Sequence, residues 1–354
     1  CLIYTGGTTG VPKGAQLTHR NVVSNAVAGC YWSHSLEAQE VTIGALPFFH
    51  SYGMTAAMNM TIARACTMVL IPDPRDVLHV MGSISKHKAT LYMAVPTSYV
   101  RINTHPRVQE FDLRTIRVCL SGAAPLPREV QERFQALTGS KLVEAYGLTE
   151  SSPATHVNPL DRNKIGTIGV PWPDTDARIV DMDTGEEDLP QGDIGELIIQ
   201  GPQVMKGYWR QPTETANMLR EHPSLGPGPW LHTGDIARMD EEGYFQIVDR
   251  KKDMIICGGF NVYPRDIEDV LYQHPAVHLA GVVGIPDEYR GETVVAFVVL
   301  KEGMTATKEE IIAFCGEHLA KYKVPTVVEF RSELPLSALG KVLRRELVSF
   351  GNGS

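Results

Sequence analysis

The stretch Tyr4 to Gly14, YTGGTTGVPKG, has the residue types of a loop that holds phosphate. Gly6, Gly7 and Gly10 let backbone N–H groups approach an anion with no Cβ in the way. Thr5, Thr8 and Thr9 add hydroxyl donors, and Lys13 adds a positive charge beside Pro12, which stiffens the backbone. No Gly-Lys-Ser/Thr closes the loop, so it is not a Walker-type phosphate loop. A second run, Tyr146-Gly147-Leu148-Thr149-Glu150, offers a ring to stack on a base, a hydroxyl for a phosphate and a carboxylate for Mg²⁺. That cation prefers hard oxygen donors shared with phosphates. Taken alone, Glu150 would read as a carboxylate satisfying a helix N-terminus.

The elements that must position these runs alternate between strands and helices. Cys1 to Tyr4 reads as a short buried strand leading into the phosphate loop, and Thr18 or Asn21 can cap a helix through about Cys30. Residues 41–50, VTIGALPFFH, read as a second strand ending in an aromatic pair and His50. Arg117 to Leu120 is a strand leading into Ser121-Gly122-Ala123-Ala124-Pro125, after which Val130, Phe134 and Leu137 mark one helical face. Lys141 to Ala145 is the next strand, leading into Tyr146. Two strand-loop-helix units in succession imply a parallel sheet, with both loops at the strand ends where ligands sit. From about Ile165 to Val248 short strands with turn signals predict a small β-barrel or sheet. The charged run Asp249-Arg250-Lys251-Lys252-Asp253 fits a solvated turn or a domain linker, and the remainder reads as a compact α+β domain.

Composition narrows the classes of function. With 33 basic and 41 acidic residues in 354, the net charge of −8 shows no basic surplus to suggest nucleic acid and leaves membrane association unsupported. A homodimer stays compatible with it. The six cysteines show no C-x-x-C spacing, which argues against a zinc site or disulfide framework and suits a reducing, cytoplasmic setting. The most apolar window, Gly53 to Ile71, holds Asn59 and Arg64 and reads as a buried helix followed by a strand. The chain begins at Cys1 in mid-strand, so it reads as lacking an N-terminal region.

Together the motifs resemble those of the adenylate-forming superfamily of acyl-CoA synthetases, luciferases and peptide-synthetase adenylation domains, in the family's order along the whole chain. Gly6 stands where many members carry serine; fatty acyl-CoA synthetases share the glycine. The resemblance implies an α/β large domain over residues 1–250, with a parallel sheet part to 160 and a barrel-like part with the hinge to 250. A mobile α+β domain would follow over 251–354. It implies a nucleotide site of Thr5, Gly6, Gly7, Thr8, Thr9, Gly10 and Lys13, with Gly122, Ala123, Ala124, Tyr146, Gly147 and Thr149. Thr8 and Glu150 would hold Mg²⁺. The motif HTGD would place Asp235 on both ribose hydroxyls, with Arg250 reaching ribose or phosphates and Lys252 as the hinge. LPFFH would set His50 beside the acyl and pantetheine channels. Gly258, Gly259 and Phe260 would line the CoA tunnel, and Lys341 would bridge the substrate carboxylate and the α-phosphate.

The implied activity is an ATP-dependent fatty acyl-CoA synthetase using ATP, Mg²⁺ and CoA, most similar to bacterial long- or medium-chain enzymes. Met54 occupies the place where some long-chain members carry a gating tryptophan. An acyl-AMP ligase loading a carrier protein, and an inactive nucleotide-binding fragment, are the alternatives.

Overall fold

The computed structural model describes residues 1–5, 12–287, 289–337 and 340–351. The loop residues Gly6, Gly7, Thr8, Thr9 and Gly10 therefore lie outside the described residues. The chain divides into two compact units, one of Cys1–Thr233 with Arg238–Gln246, the other of Gly234–Ala237 with Ile247 onward.

The larger unit is built on a seven-stranded sheet. Its order is Thr67–Leu70, Val41–Gly44, Leu91–Ala94, Val118–Ser121, Lys141–Gly147, Ala154–Val157 and Val170–Pro171. The first five strands are parallel and the last two antiparallel. The central strands LYMA and VCLS are buried throughout, as strands covered on both faces must be. Helices Val77–His87, Pro96–Thr104 and Arg128–Thr138 supply Met81, Ile84, Ile102 and Phe134 to one core. Tyr99 sits at its centre, edge-on to Tyr92 and Phe134, and its hydroxyl donates to Leu120 O at 2.9 Å. That bond satisfies a phenol that has no exposed surface.

The structure changes three local expectations. Leu2–Thr5 pairs antiparallel with Lys13–Gln16, so the first strand belongs to a hairpin around the phosphate loop, and only Ile3 is buried. The strand expected over 41–50 stops at Gly44, because Pro47 removes a donor and the chain turns. Gly53 then folds so closely over that turn that a Cβ there would lie 2.3 Å from Pro47 O. Lys141–Gly147 extends through Tyr146 and Gly147, which stand on the strand rather than after it. The helix after the hairpin, His19–Trp32, starts at Thr18 with a reciprocal cap to Asn21. The apolar window from Gly53 is a π-helix, Gly53–Asn59, a helical turn, Met60–Ala63, and the strand Thr67–Leu70. No helix among the described residues is long and apolar enough to cross a membrane.

The β-rich stretch is a five-stranded sheet in the order Asp176–Val180, Gly195–Gln200, Pro229–Met239 and Leu219–Glu221, with Phe245–Arg250 beside Pro229–Met239. In the smaller unit the sheet order is Phe260–Val262, Ile255–Cys257, Gly291–Leu300 and Val277–Asp287, with Val327–Phe330 parallel to Gly291–Leu300. Alternate residues of Gly291–Leu300 feed two cores. Val294, Ala296 and Val298 meet Ile267, Leu271, Ile311 and Cys315 from helices Pro264–Leu271 and Lys308–His318. Val295, Phe297 and Val299 face Leu334 and Leu347, the latter on the helix Arg344–Gly351.

Candidate active site

The hairpin Leu2–Thr5/Lys13–Gln16 sets Thr5 opposite Lys13 at its mouth. A third segment flanks it: Gln16 N–H donates to Gly207 O at 2.9 Å and Trp209 N–H to Gly14 O at 2.8 Å. The Lys13 ammonium pairs with the Glu214 carboxylate and lies 5.1 Å above the centre of the Tyr208 ring.

Gly122, Ala123 and Ala124 follow the strand Val118–Ser121, and Tyr146 to Glu150 close the neighbouring parallel strand, with Ser121 opposite Glu144. Both runs thus stand at the carboxyl ends of adjacent strands. Ala123 holds φ +70°, a left-handed conformation that costs a residue with a Cβ about 1 kcal/mol or more. Gly147 runs so close to Pro153 that a Cβ would lie 1.9 Å from its carbonyl oxygen, so no other residue fits there. Tyr146 is half-buried, its ring 6.0 Å from that of His156, which in turn lies 4.7 Å from Phe245.

Glu150 falls in the short turn Thr149–Ser151 and is 8% exposed. Its carboxylate accepts the Tyr208 hydroxyl at 2.5 Å, and its carbonyl accepts Met205 N–H at 2.8 Å. Among the described residues no group of three or more His, Cys, Asp or Glu could hold a metal. Mg²⁺ needs no such cage: one or two carboxylates and the phosphates of a nucleotide suffice, and the buried Glu150 carboxylate fits that donor set. His50 accepts Tyr52 N–H on Nδ1 at 3.1 Å, and burial lowers its pKa, which keeps the ring neutral with its proton on Nε2.

His156 is fully buried, and burial pushes its pKa down to about 3. The unfolded chain, with an ordinary histidine near 6.5, therefore binds a proton that the folded chain refuses between these values. Stability is complete above about pH 6.5 and falls as the pH drops, by up to about 1.4 kcal/mol per pH unit. Urea midpoints measured from pH 7.5 to 4.5 should show this slope, reduced by one proton in His156→Gln. An unchanged slope would mean that other groups govern acid lability.

The remaining candidates lie in the smaller unit. Asp235 is buried and its Oδ1 meets Arg250 Nε at 3.0 Å. Lys341 follows Gly340 in a tight turn, its N–H donating to Ser337 Oγ at 3.1 Å and its carbonyl accepting Ser337 N–H at 2.8 Å. Lys341 is an exposed residue, yet desolvation of its ammonium and the Arg250 charge lower its pKa to about 8. Lys252 sits exposed in the turn Lys251–Asp253. Gly258 and Gly259, at φ +60° and +82°, form the two-residue turn that joins Cys257 to Phe260. Phe260 is exposed and stacks on Tyr322 at 4.6 Å.

Two groups of contributors escape the motifs. Tyr208 and Glu214 engage Glu150 and Lys13 from the stretch that the sequence reads as short strands with turn signals. Arg344, three residues beyond Lys341, meets Glu268 at 2.6 Å, Asp249 at 2.8 Å and Asp253 at 3.2 Å. A basic residue close behind the Gly-Lys pair was the one available signal for it.

Comparisons with known proteins show the family. The model of the AMP-binding enzyme family matches residues 1–209, and that of the AMP-binding enzyme C-terminal domain matches residues 266–341. A long-chain-fatty-acid–CoA ligase of Bacillus subtilis (strain 168) is 52% identical over 98% of this chain. One from Escherichia coli O157:H7 is 44% identical over 98%. The chain spans 61% and 60% of the lengths of these relatives. ATP-bound MatB from Rhodopseudomonas palustris superposes with a TM-score of 0.88 at 36% identity, covering 99% of this chain and 67% of that one. O-succinylbenzoate coenzyme A synthetase (MenE) from Bacillus subtilis, in complex with AMP, gives 0.84 at 32%, covering 98% and 68%. With its large α/β unit, its small α+β unit and both family models matched in order, this chain belongs to the AMP-binding enzymes.

Proposed function

We propose that the protein acts as an ATP-dependent, AMP-forming fatty acyl-CoA synthetase of the cytoplasm. It adenylates a fatty acid carboxylate with release of pyrophosphate, then passes the acyl group to CoA with release of AMP. The observation that carries this reading is the 52% identity, over nearly the whole chain, to a long-chain-fatty-acid–CoA ligase. The two loops at adjacent strand ends, one of them strained at Ala123, support a nucleotide held between them.

In this reading Thr5, Lys13 and the Gly6 to Gly10 loop take the phosphates, with Lys13 exchanging Glu214 for them. Tyr146 stacks on the base, Thr149 bonds a phosphate oxygen, and Asp235 accepts the ribose hydroxyls beside Arg250. Glu150 with Thr8 would hold Mg²⁺, which when bound draws negative charge off the phosphates. Lys341 neutralises charge building at the α-phosphorus while the carboxylate is held in line. The domain after residue 250 then turns about Lys252, withdrawing Lys341 and bringing in Gly258 to Phe260, and His50 borders the acyl channel. All six cysteines are free thiols, which suits the cytoplasm.

The test is AMP and pyrophosphate release from ATP and Mg²⁺ over a ladder of fatty acids, with and without CoA, on this chain and on an N-terminally longer version. CoA-dependent AMP release peaking at one chain length is expected. Pyrophosphate release indifferent to CoA, with adenylate retained, would point instead to a carrier-protein ligase.

A further inference from the structure

Tyr208 belongs to none of the motifs on which the nucleotide reading stands, yet three parts of that site end on it. Its hydroxyl donates to Glu150 Oε1 at 2.5 Å, its ring lies under the Lys13 ammonium, and its backbone bridges Ala15 on the hairpin. Tyr208 is buried, 4% exposed, with the Glu150 carboxylate as the acceptor of its hydroxyl. Its backbone is equally fixed. Tyr208 N–H donates to Thr215 Oγ1 at 2.8 Å, and Gly207, at φ +143°, leaves no room for a Cβ, which would meet Thr215 at 2.6 Å.

An ionised carboxylate accepts on both oxygens and turns freely unless something holds it. A rigid donor on one oxygen sets the plane of the group and so the direction of the other. Partners of this kind behind a metal ligand fix its orientation, and their loss weakens metal binding. We propose that Tyr208 is a positioning residue for a divalent cation at Glu150, its hydroxyl holding the carboxylate in the orientation that takes Mg²⁺. The proposal rests on the reading of Glu150 as the metal ligand.

Tyr208→Phe removes the donor and keeps the ring beneath Lys13. The readout is binding, not turnover: nucleotide titrations by calorimetry with and without Mg²⁺, and Mn²⁺ binding by electron paramagnetic resonance in the presence of ATP. The half-saturating metal concentration should rise about 10- to 100-fold, while metal-free ATP affinity stays near that of the parent. Glu150→Gln is the control that separates the two layers. If it raises the metal requirement and Tyr208→Phe does not, the positioning role is wrong. If neither raises it, the ligand reading of Glu150 falls first and takes the proposal with it. Should Tyr208→Phe fail to fold, 3-fluorotyrosine at position 208 keeps the shape and strengthens the donor. It must then shift the metal half-point, and no shift overturns the proposal.

Discussion

Lys341→Ala is expected to slow adenylation by about 10²- to 10³-fold, the scale seen when one preorganised group is removed from a developing charge, while sparing thioester formation from presupplied acyl-adenylate. The ammonium is suited to the first step because it is a compact point charge on a turn fixed at both ends by Ser337. Its lowered pKa makes the claim testable a second way. With the ammonium at about 8, a step that needs the cation is fully supported below that pH and is lost as the pH rises through it. Single-turnover adenylation should therefore show an alkaline limb near pH 8 that disappears in Lys341→Ala. Equal loss in both half-reactions would show that Lys341 serves both, and the division of labour would be wrong.

The parts of the candidate site that can be read from the sequence are those whose residues are contiguous. YGLTE, SGAAP, HTGD and the Gly-Gly turn each carry their geometry within a few residues. Turn chemistry explains why the Gly258-Gly259 pair adopts left-handed φ values and why Thr18 starts a helix. Strand pairing was less legible, since a short apolar run such as CLIY reads the same in a hairpin as in a parallel sheet. What decides is the register of Leu2 against Gln16 on the far side of the loop. The partners that hold the site were illegible for a related reason. Tyr208 reaches Glu150 across 58 positions and Glu214 reaches Lys13 across 201. No local pattern marks such a pairing.

Arg344 is the extreme case, and its removal should have the largest effect on stability. Its guanidinium takes Glu268 through both Nε and Nη2, at 3.0 and 2.6 Å, and reaches Asp249 and Asp253 through Nη1. The pairing is well shielded, with side-chain exposures of 17% for Arg344, 2% for Asp249 and 14% for Glu268. Asp249 also accepts Arg250 N–H and Arg265 N–H at 2.7 Å, so the run that carries Arg250 and Lys252 is tied to the helix that follows Lys341. Arg344→Met removes the guanidinium that the three carboxylates share. Removing one partner of a buried ion pair costs about 3–5 kcal/mol, and the deficit should shrink at low pH as the stranded carboxylates take up protons. Arg344→Lys keeps the charge but not the two-pronged contact and should recover only part of it. Hydrogen exchange of the Val294 to Val299 amides reads this unit directly, because every tryptophan of the chain precedes residue 234. A loss below about 1 kcal/mol would mean that desolvating the cluster offsets its attraction. Arg344 would then serve only to orient the Lys341 turn, and slowed adenylation with undiminished protection would be the sign of it.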